Sequence, residues 1–135
     1  MDKEISVSVG QSASLSKTIS ESDVYTFAGI TGDLNPAHVN EEYARQSRFG
    51  GRIAHGLLSA GLISAAIAMK LPGPGTIYLG QTIKFLAPVR IGDTVTATVK
   101  VLSMDAARRR AVLETTCHNQ KDALVITGEA TVLLP

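Results

Sequence analysis

Apolar and polar positions alternate through the second half of the chain. In residues 76–87, Ile77, Leu79, Ile83 and Phe85 share one phase, against Thr82 and Lys84. Val95, Ala97, Val99 and Val101 then alternate with Thr94, Thr96, Thr98 and Lys100. Residues 110–119 form a third candidate strand. In residues 123–134, Leu124, Ile126, Ala130 and Val132 fall in phase. A period of two predicts strands with one apolar and one wetter face, the antiparallel pattern. Turns are predicted at residues 90–93, 104–108 and 120–122.

The first half reads differently. Residues 5–9 (ISVSV) alternate and predict a short strand, and residues 12–19 a weaker one. Ser20 or Ser22 can cap a helix over residues 23–30, where Val24, Phe27 and Ile30 recur at helical spacing. Thr31-Gly32 ends it. Asn40 caps a short helix over residues 41–46. Residues 53–69 (IAHGLLSAGLISAAIAM) then carry no charged side chain. The run is shorter than the roughly 18–20 residues a membrane-spanning helix needs, and it holds His55, Ser59 and Ser64. It predicts a helix of a globular protein that must be covered on every side. Pro72, Gly73, Pro74 and Gly75 stop it.

One wholly apolar helix and long strands with one apolar face have an economical solution: the sheet curls around the helix. Gly56, Ala60, Gly61, Ala65, Ala66 and Ala68 would let strands come close. This predicts the hot-dog architecture, an α+β fold, as a single domain over residues 1–135. The far side of the helix and the open sheet edge call for a partner, which predicts a homodimer, with room for a higher oligomer.

Composition narrows the function. The chain has 135 residues, 44% hydrophobic and 19% charged, with 13 basic and 12 acidic side chains. A net charge of +1 argues against a nucleic-acid binder. The one cysteine excludes an internal disulfide, and a lone thiol fits a reducing compartment, the cytoplasm. The charged start Met1-Asp2-Lys3-Glu4 predicts no secretory leader. His38, His55 and His118 show no zinc spacing, so no metal is expected.

Candidate chemistry concentrates in Asp33-Leu-Asn35-Pro36-Ala-His38. Pro36 keeps Asn35 out of helical geometry, so a tight turn can bring Asp33 and His38 toward one point. A carboxylate and an imidazole around one water make an acid–base pair. Asp and Asn before Pro are also ordinary turn residues. At His55-Gly56 the apolar helix opens. Its free amides and the missing Gly56 side chain suit an oxygen that gains negative charge; close packing explains the same glycine, and a satisfied buried histidine explains His55. Ser59 and Ser64 read as helical serines bonded to their own backbone. Arg108, Arg109 and Arg110 form a turn that could meet ligand phosphates.

Three ordered blocks resemble one known family. Phe27-Ala-Gly-Ile-Thr-Gly-Asp33-Leu-Asn35-Pro36-Ala-His38, followed by Ala44, resembles the signature of the MaoC-like (R)-specific enoyl-CoA hydratases. Ile53-Ala-His55-Gly56-Leu-Leu resembles their second block, and Tyr78-Leu-Gly-Gln-Thr-Ile-Lys-Phe85-Leu-Ala-Pro88 through Asp93 their third. The likeness spans nearly the whole chain; Ala37 departs from it, where the family carries a larger aliphatic residue. The resemblance implies a hot-dog homodimer that reversibly hydrates trans-2-enoyl-CoA to (3R)-3-hydroxyacyl-CoA, on short to medium acyl chains. It implies Asp33 and His38 as the catalytic pair, with the Gly56 N–H polarising the thioester carbonyl. Asn35 and Ser64 match site positions, and Ile67, with Leu62 and Leu71, is expected to line the acyl pocket. No cofactor is implied, because CoA is part of the substrate.

Three other readings compete. A 3-hydroxyacyl-carrier-protein dehydratase would use the same residues in reverse. A hot-dog thioesterase is disfavoured because residues 53–69 hold no Asp or Glu. A non-catalytic acyl-thioester-binding subunit would not need Asp33 and His38.

Overall fold

The computed structural model describes residues 4–135. Strand β1 (Ser12–Thr18) leads into helices α1 (Glu21–Thr31), α2 (Pro36–Val39), α3 (Glu41–Arg45) and α4 (Gly56–Met69). Four strands follow: β2 (Ile77–Phe85), β3 (Thr94–Asp105), β4 (Arg110–His118) and β5 (Leu124–Leu133). They form one antiparallel sheet in the order β1-β3-β4-β5-β2. This is the α+β hot-dog arrangement expected from the pattern.

The period of two holds in β3 and β4. Val95, Ala97, Val99 and Val101 are buried, as are Ala111, Leu113, Thr115 and Cys117, and α4 packs over that face. Ile63, Ala66 and Ile67 of α4 complete the core. Each buried Val, Leu or Ile among them contributes roughly 1.5–3 kcal/mol by leaving water.

Two expectations are corrected. Residues 5–9 form no strand; Val7 is buried in the core without ladder bonds. The strand is instead Ser12–Thr18, whose polar face is stapled to β3 by Ser16–Thr96 and Thr18–Thr94 hydroxyl pairs at 2.6 and 2.7 Å. In β2 the apolar residues do not share one face. The ladder with β5 shifts between Tyr78 and Gly80, so Leu79 is an extra residue and the phase flips. Gln81, Ile83 and Phe85 stand on the side of Ala130, Gly128 and Ile126, whereas Ile77 lies out of phase and exposed. Within one chain α4 is open on its far side, the side for which the sequence calls for a partner. Leu57, Gly61 and Ala68, with half-buried Ser64, form one helical stripe facing away from the sheet. Among the described residues, no helix is long and apolar enough to cross a membrane.

Candidate functional site

The excursion between α1 and α4 builds the site. Ser20 caps α1: its side chain accepts from the Asp23 amide at 3.0 Å, and the Asp23 carboxylate accepts the Ser20 N–H at 2.9 Å. Gly32 ends α1 with φ of 80°, the left-handed cap that glycine adopts without strain. The chain then enters Asp33. Its carboxylate accepts the Asn35 amide at 3.2 Å, and the Asn35 side chain caps α2 by accepting from Ala37 N–H at 3.0 Å. Pro36 sits at the start of α2, where its missing N–H has no role. The segment expected as a tight turn is thus an Asx turn joined to one helical turn, and His38 rides on that turn.

His38 donates Nδ1–H to the Ile53 carbonyl at 2.7 Å, because a carbonyl can only accept. That leaves Nε2 as the ring nitrogen not tied to Ile53, on a residue that lines a cleft. His55, 2% exposed, donates Nε2–H to the Asp33 carbonyl at 2.9 Å. Its ring stacks on His38 with centroids 3.9 Å apart at 29° and meets Phe27 at 4.7 Å. His55 therefore ties the loop carrying Asp33 to the start of α4 and backs the His38 ring. Arg52 anchors the approach to His55 from both sides, bonding Glu21 of α1 and Glu41 of α3. The Glu21 hydrogen bond, ahead of the Glu41 one, holds its guanidinium above the ordinary arginine range, and Glu21 is held below its own.

Gly56 is the first residue of α4, where backbone amides lack intrahelical partners. A Cβ there would stand 2.5 Å from Cε1 of Phe85. Glycine at 56 thus serves packing, whatever its amide does.

Asp33, His38, His55 and Gly56 share one cleft of about 560 Å³, within the size range of small-molecule sites. Phe27, Phe49, Phe85, Leu86, Val89 and Ile126 supply much of its apolar wall. The other expected site residues do not line this cleft. Asn35 acts as the α2 cap, Ser64 sits on the open stripe of α4, and Ile67 is 2% exposed in the core; none lines the cleft. Leu62 and Leu71 do not line it either. Arg108, Arg109 and Arg110 sit at the Leu133–Ile77 end of the sheet, away from Phe85. Two further residues line it: Ser59, which the sequence reading left structural, and Arg48, which it did not single out. The Ser59 hydroxyl and His55 Nδ1 are buried without partners among the described residues. The one sequence signal for them was the placement of His55 and Ser59 at the head of the apolar helix.

Ligating atoms of Asp33, His38 and His55 fall within 4.8 Å of one another. A single ion at bonding distance, about 2 Å, from both histidines would need to lie in both ring planes. Those planes are stacked near parallel, and one nitrogen of each ring already donates to a carbonyl. The donor set suits proton handling better than metal binding.

A family profile described as MaoC like domain matches residues 5–122. The chain is 60% identical to an (R)-specific enoyl-CoA hydratase of Rhodospirillum rubrum, over 93% of this chain and 87% of that one. It is 53% identical to a 3-hydroxybutyryl-CoA dehydratase of Methylorubrum extorquens, over 94% and 80%. Its fold superposes on the (R)-hydratase of Aeromonas caviae, involved in PHA biosynthesis, with a TM-score of 0.93 and 43% identity, covering 96% of this chain and 98% of that one.

Proposed function

The chain belongs to the MaoC-like domain family, and from that premise we propose that it is an (R)-specific enoyl-CoA hydratase. The observation that carries the reading is the convergence of Asp33, His38 and Gly56 in one largely apolar cleft. The relatives named for enoyl-CoA and 3-hydroxybutyryl-CoA support CoA thioesters as the substrate class.

In this reading one water lies between the Asp33 carboxylate and His38 Nε2. Asp33 takes a proton from the water as its oxygen attacks C3 of the trans-2-enoyl thioester. The C2–C3 π electrons move toward the thioester carbonyl, whose oxygen gains negative charge beside the Gly56 N–H at the α4 N-terminus. The proton that Asp33 took then passes to C2 by way of His38 Nε2, which leaves Asp33 ionised and His38 neutral again. Proton handling of this kind contributes about 10²–10⁴ in rate. No cofactor enters these steps.

The protein is further proposed to act as a cytoplasmic homodimer. The open α4 stripe and the exposed apolar residues of edge strand β2, Ile77, Leu79 and Phe85, support a second copy as the cover.

The test is hydration of crotonyl-CoA by purified protein, followed by loss of the conjugated thioester's ultraviolet absorbance, with an (R)-specific dehydrogenase to read the product. Rapid loss with (R) product is the expected result. No loss with crotonyl- or longer enoyl-CoA would sink the reading. Turnover of the enoyl-carrier-protein instead would assign the dehydratase of carrier-bound acyl groups, and thioester binding without turnover a non-catalytic subunit.

A further inference from the structure

Apart from its histidines, the residues lining the cleft include two charged side chains, Asp33 and Arg48. Asp33 is absorbed by the water-addition chemistry. Arg48 is not, and it is exposed in the loop after α3. Its neighbours in sequence are committed elsewhere: Arg45 pairs with Glu42, and Arg52 with Glu21 and Glu41. Arg48 has no carboxylate within ion-pair distance among the described residues; its guanidinium carbon lies 5.6 Å from the ring centroid of Phe49, which also lines the cleft.

The arginines that the sequence offered as phosphate contacts do not reach this place. Arg108 pairs with Asp105, Arg109 donates to the Pro135 carbonyl, and the turn lies at the far end of the sheet.

We propose that Arg48 is the residue of this cleft that recognises a phosphate on the pantetheine-bearing part of the thioester substrate. The inference rests on the thioester reading given above. A cleft whose one fixed charge was the Asp33 carboxylate would repel an anionic substrate. An adjacent guanidinium reverses that, and its planar fork matches two phosphate oxygens at once. Exposure keeps its desolvation cost low and makes its attraction sensitive to salt. Two sources present the same chemistry: the nucleotide phosphates of CoA, and the 4′-phosphate that CoA shares with a carrier protein's prosthetic arm.

Steady-state hydration of three crotonyl thioesters separates the outcomes: those of CoA, 4′-phosphopantetheine and phosphate-free pantetheine. Arg48→Ala is expected to raise KM for crotonyl-CoA about tenfold with kcat held, the size of one lost charge-assisted contact. Its kcat/KM for crotonyl-pantetheine should stay within about twofold of wild type, since that substrate offers the guanidinium no charge. Arg48→Lys should recover part of the loss at low salt. A loss that persists with crotonyl-4′-phosphopantetheine assigns the shared 4′-phosphate; a loss with crotonyl-CoA alone assigns the nucleotide. An unchanged KM for crotonyl-CoA, or an equal loss on the phosphate-free thioester, overturns the proposal. If wild-type protein hydrates none of the three, the hydratase reading has failed by itself. Titration with CoA then decides Arg48: weaker binding to Arg48→Ala sustains the role, and equal or absent binding overturns it.

Discussion

His38 donates its Nδ1–H to the carbonyl of Ile53 at 2.7 Å, and that bond fixes which ring nitrogen is free for chemistry. The carbonyl belongs to the segment that leads into α4, so the tautomer of the histidine and the position of the helix N-terminus are set together. The stacked His55 ring restrains the same imidazole from its face.

Removing either member of the pair should cost rate, and only the loss of His38 should also cost stability. Asp33→Asn keeps an oxygen able to accept the Asn35 amide, which is the local bond the carboxylate makes. We expect kcat to fall by about 10²–10⁴ in Asp33→Asn and in His38→Ala, with circular dichroism kept in both and melting temperature close to wild type in Asp33→Asn but lowered in His38→Ala, which gives up the Ile53 bond and the stack on His55. Crotonyl-CoA turnover near wild type in either variant would remove that residue from the mechanism.

Gly56 tests packing against chemistry. In Gly56→Ala the new methyl meets the Phe85 ring at 2.5 Å, so the ring must swing or the start of α4 must shift. The single variant should lose activity and some stability. Adding Phe85→Ala removes the obstacle, and the double variant should recover cooperative melting relative to other Phe85→Ala protein. If activity returns as well, access to the Gly56 amide is not what the glycine secures.

Much of this was legible because burial and period coincide. Val95 to Val101 alternate in sequence and in burial, so β3 could be read directly, whereas Ala111 to Cys117 alternate in burial although Val112 and Thr115 break the sequence pattern. The closeness of Asp33 and His38 was legible because Pro36 keeps Asn35 out of helical geometry and starts α2 there, and the motif resemblance is what marked the two as a pair. Other features depend on contacts with no sequence signature. The His55 bond goes to a main-chain carbonyl 22 positions away, which any residue at 33 would supply. A uniformly apolar α4 gives no phase, so nothing in it told that Ser64 faces outward and Ile67 inward. The extra residue at Leu79 reverses the pattern of β2 without disturbing its composition.

The cap of α1 carries a pH dependence. Backbone hydrogen bonding from Ser20, then the Lys17 ion pair at 2.9 Å, holds the Asp23 carboxyl below its ordinary value. A carboxyl depressed on folding adds stability above its unfolded pKa, about 3.9, and that stability is lost as pH falls through the lower folded value. Asp23→Asn should be less stable than wild type at pH 7 in urea titrations. The gap should close as the pH drops below about 4. A gap that stays constant down to pH 2 would show that the charge of Asp23 contributes nothing. Ser20→Ala should cost about 1 kcal/mol at pH 7.

Gly128 holds the cleft's outer wall in register. A Cβ at 128 would lie 1.8 Å from the Thr82 carbonyl oxygen, a backbone atom of the strand that carries Phe85. Gly128→Ala must separate β2 from β5 locally. We expect a loss of more than about 3 kcal/mol in chemical denaturation, with the usual mutational spread in mind. Amide exchange should rise first along β2. A loss below about 0.5 kcal/mol, the size of a neutral surface change, would mean that the strands separate without cost and the pairing is not tight there.

The open stripe of α4 makes the strongest demand on assembly. Leu57 is 61% exposed, on a helix with no charged residue, and the small residues Gly61, Ser64 and Ala68 lie along the same side. Two such stripes can approach closely, and the exposed edge of β2 beside them can extend the sheet into a second copy. Light scattering should give twice the chain mass. Gly61→Glu places a carboxylate in the middle of the stripe while leaving the buried side of α4, Ile63, Ala66 and Ile67, untouched. It should shift the protein toward monomer at micromolar concentration, and crotonyl-CoA turnover should fall with the dimer fraction, because β2 supplies Phe85 to the cleft and would lose its cover. A wild-type protein that runs as a monomer at every concentration would refute the assembly. A Gly61→Glu protein that remains dimeric would move the interface off this stripe.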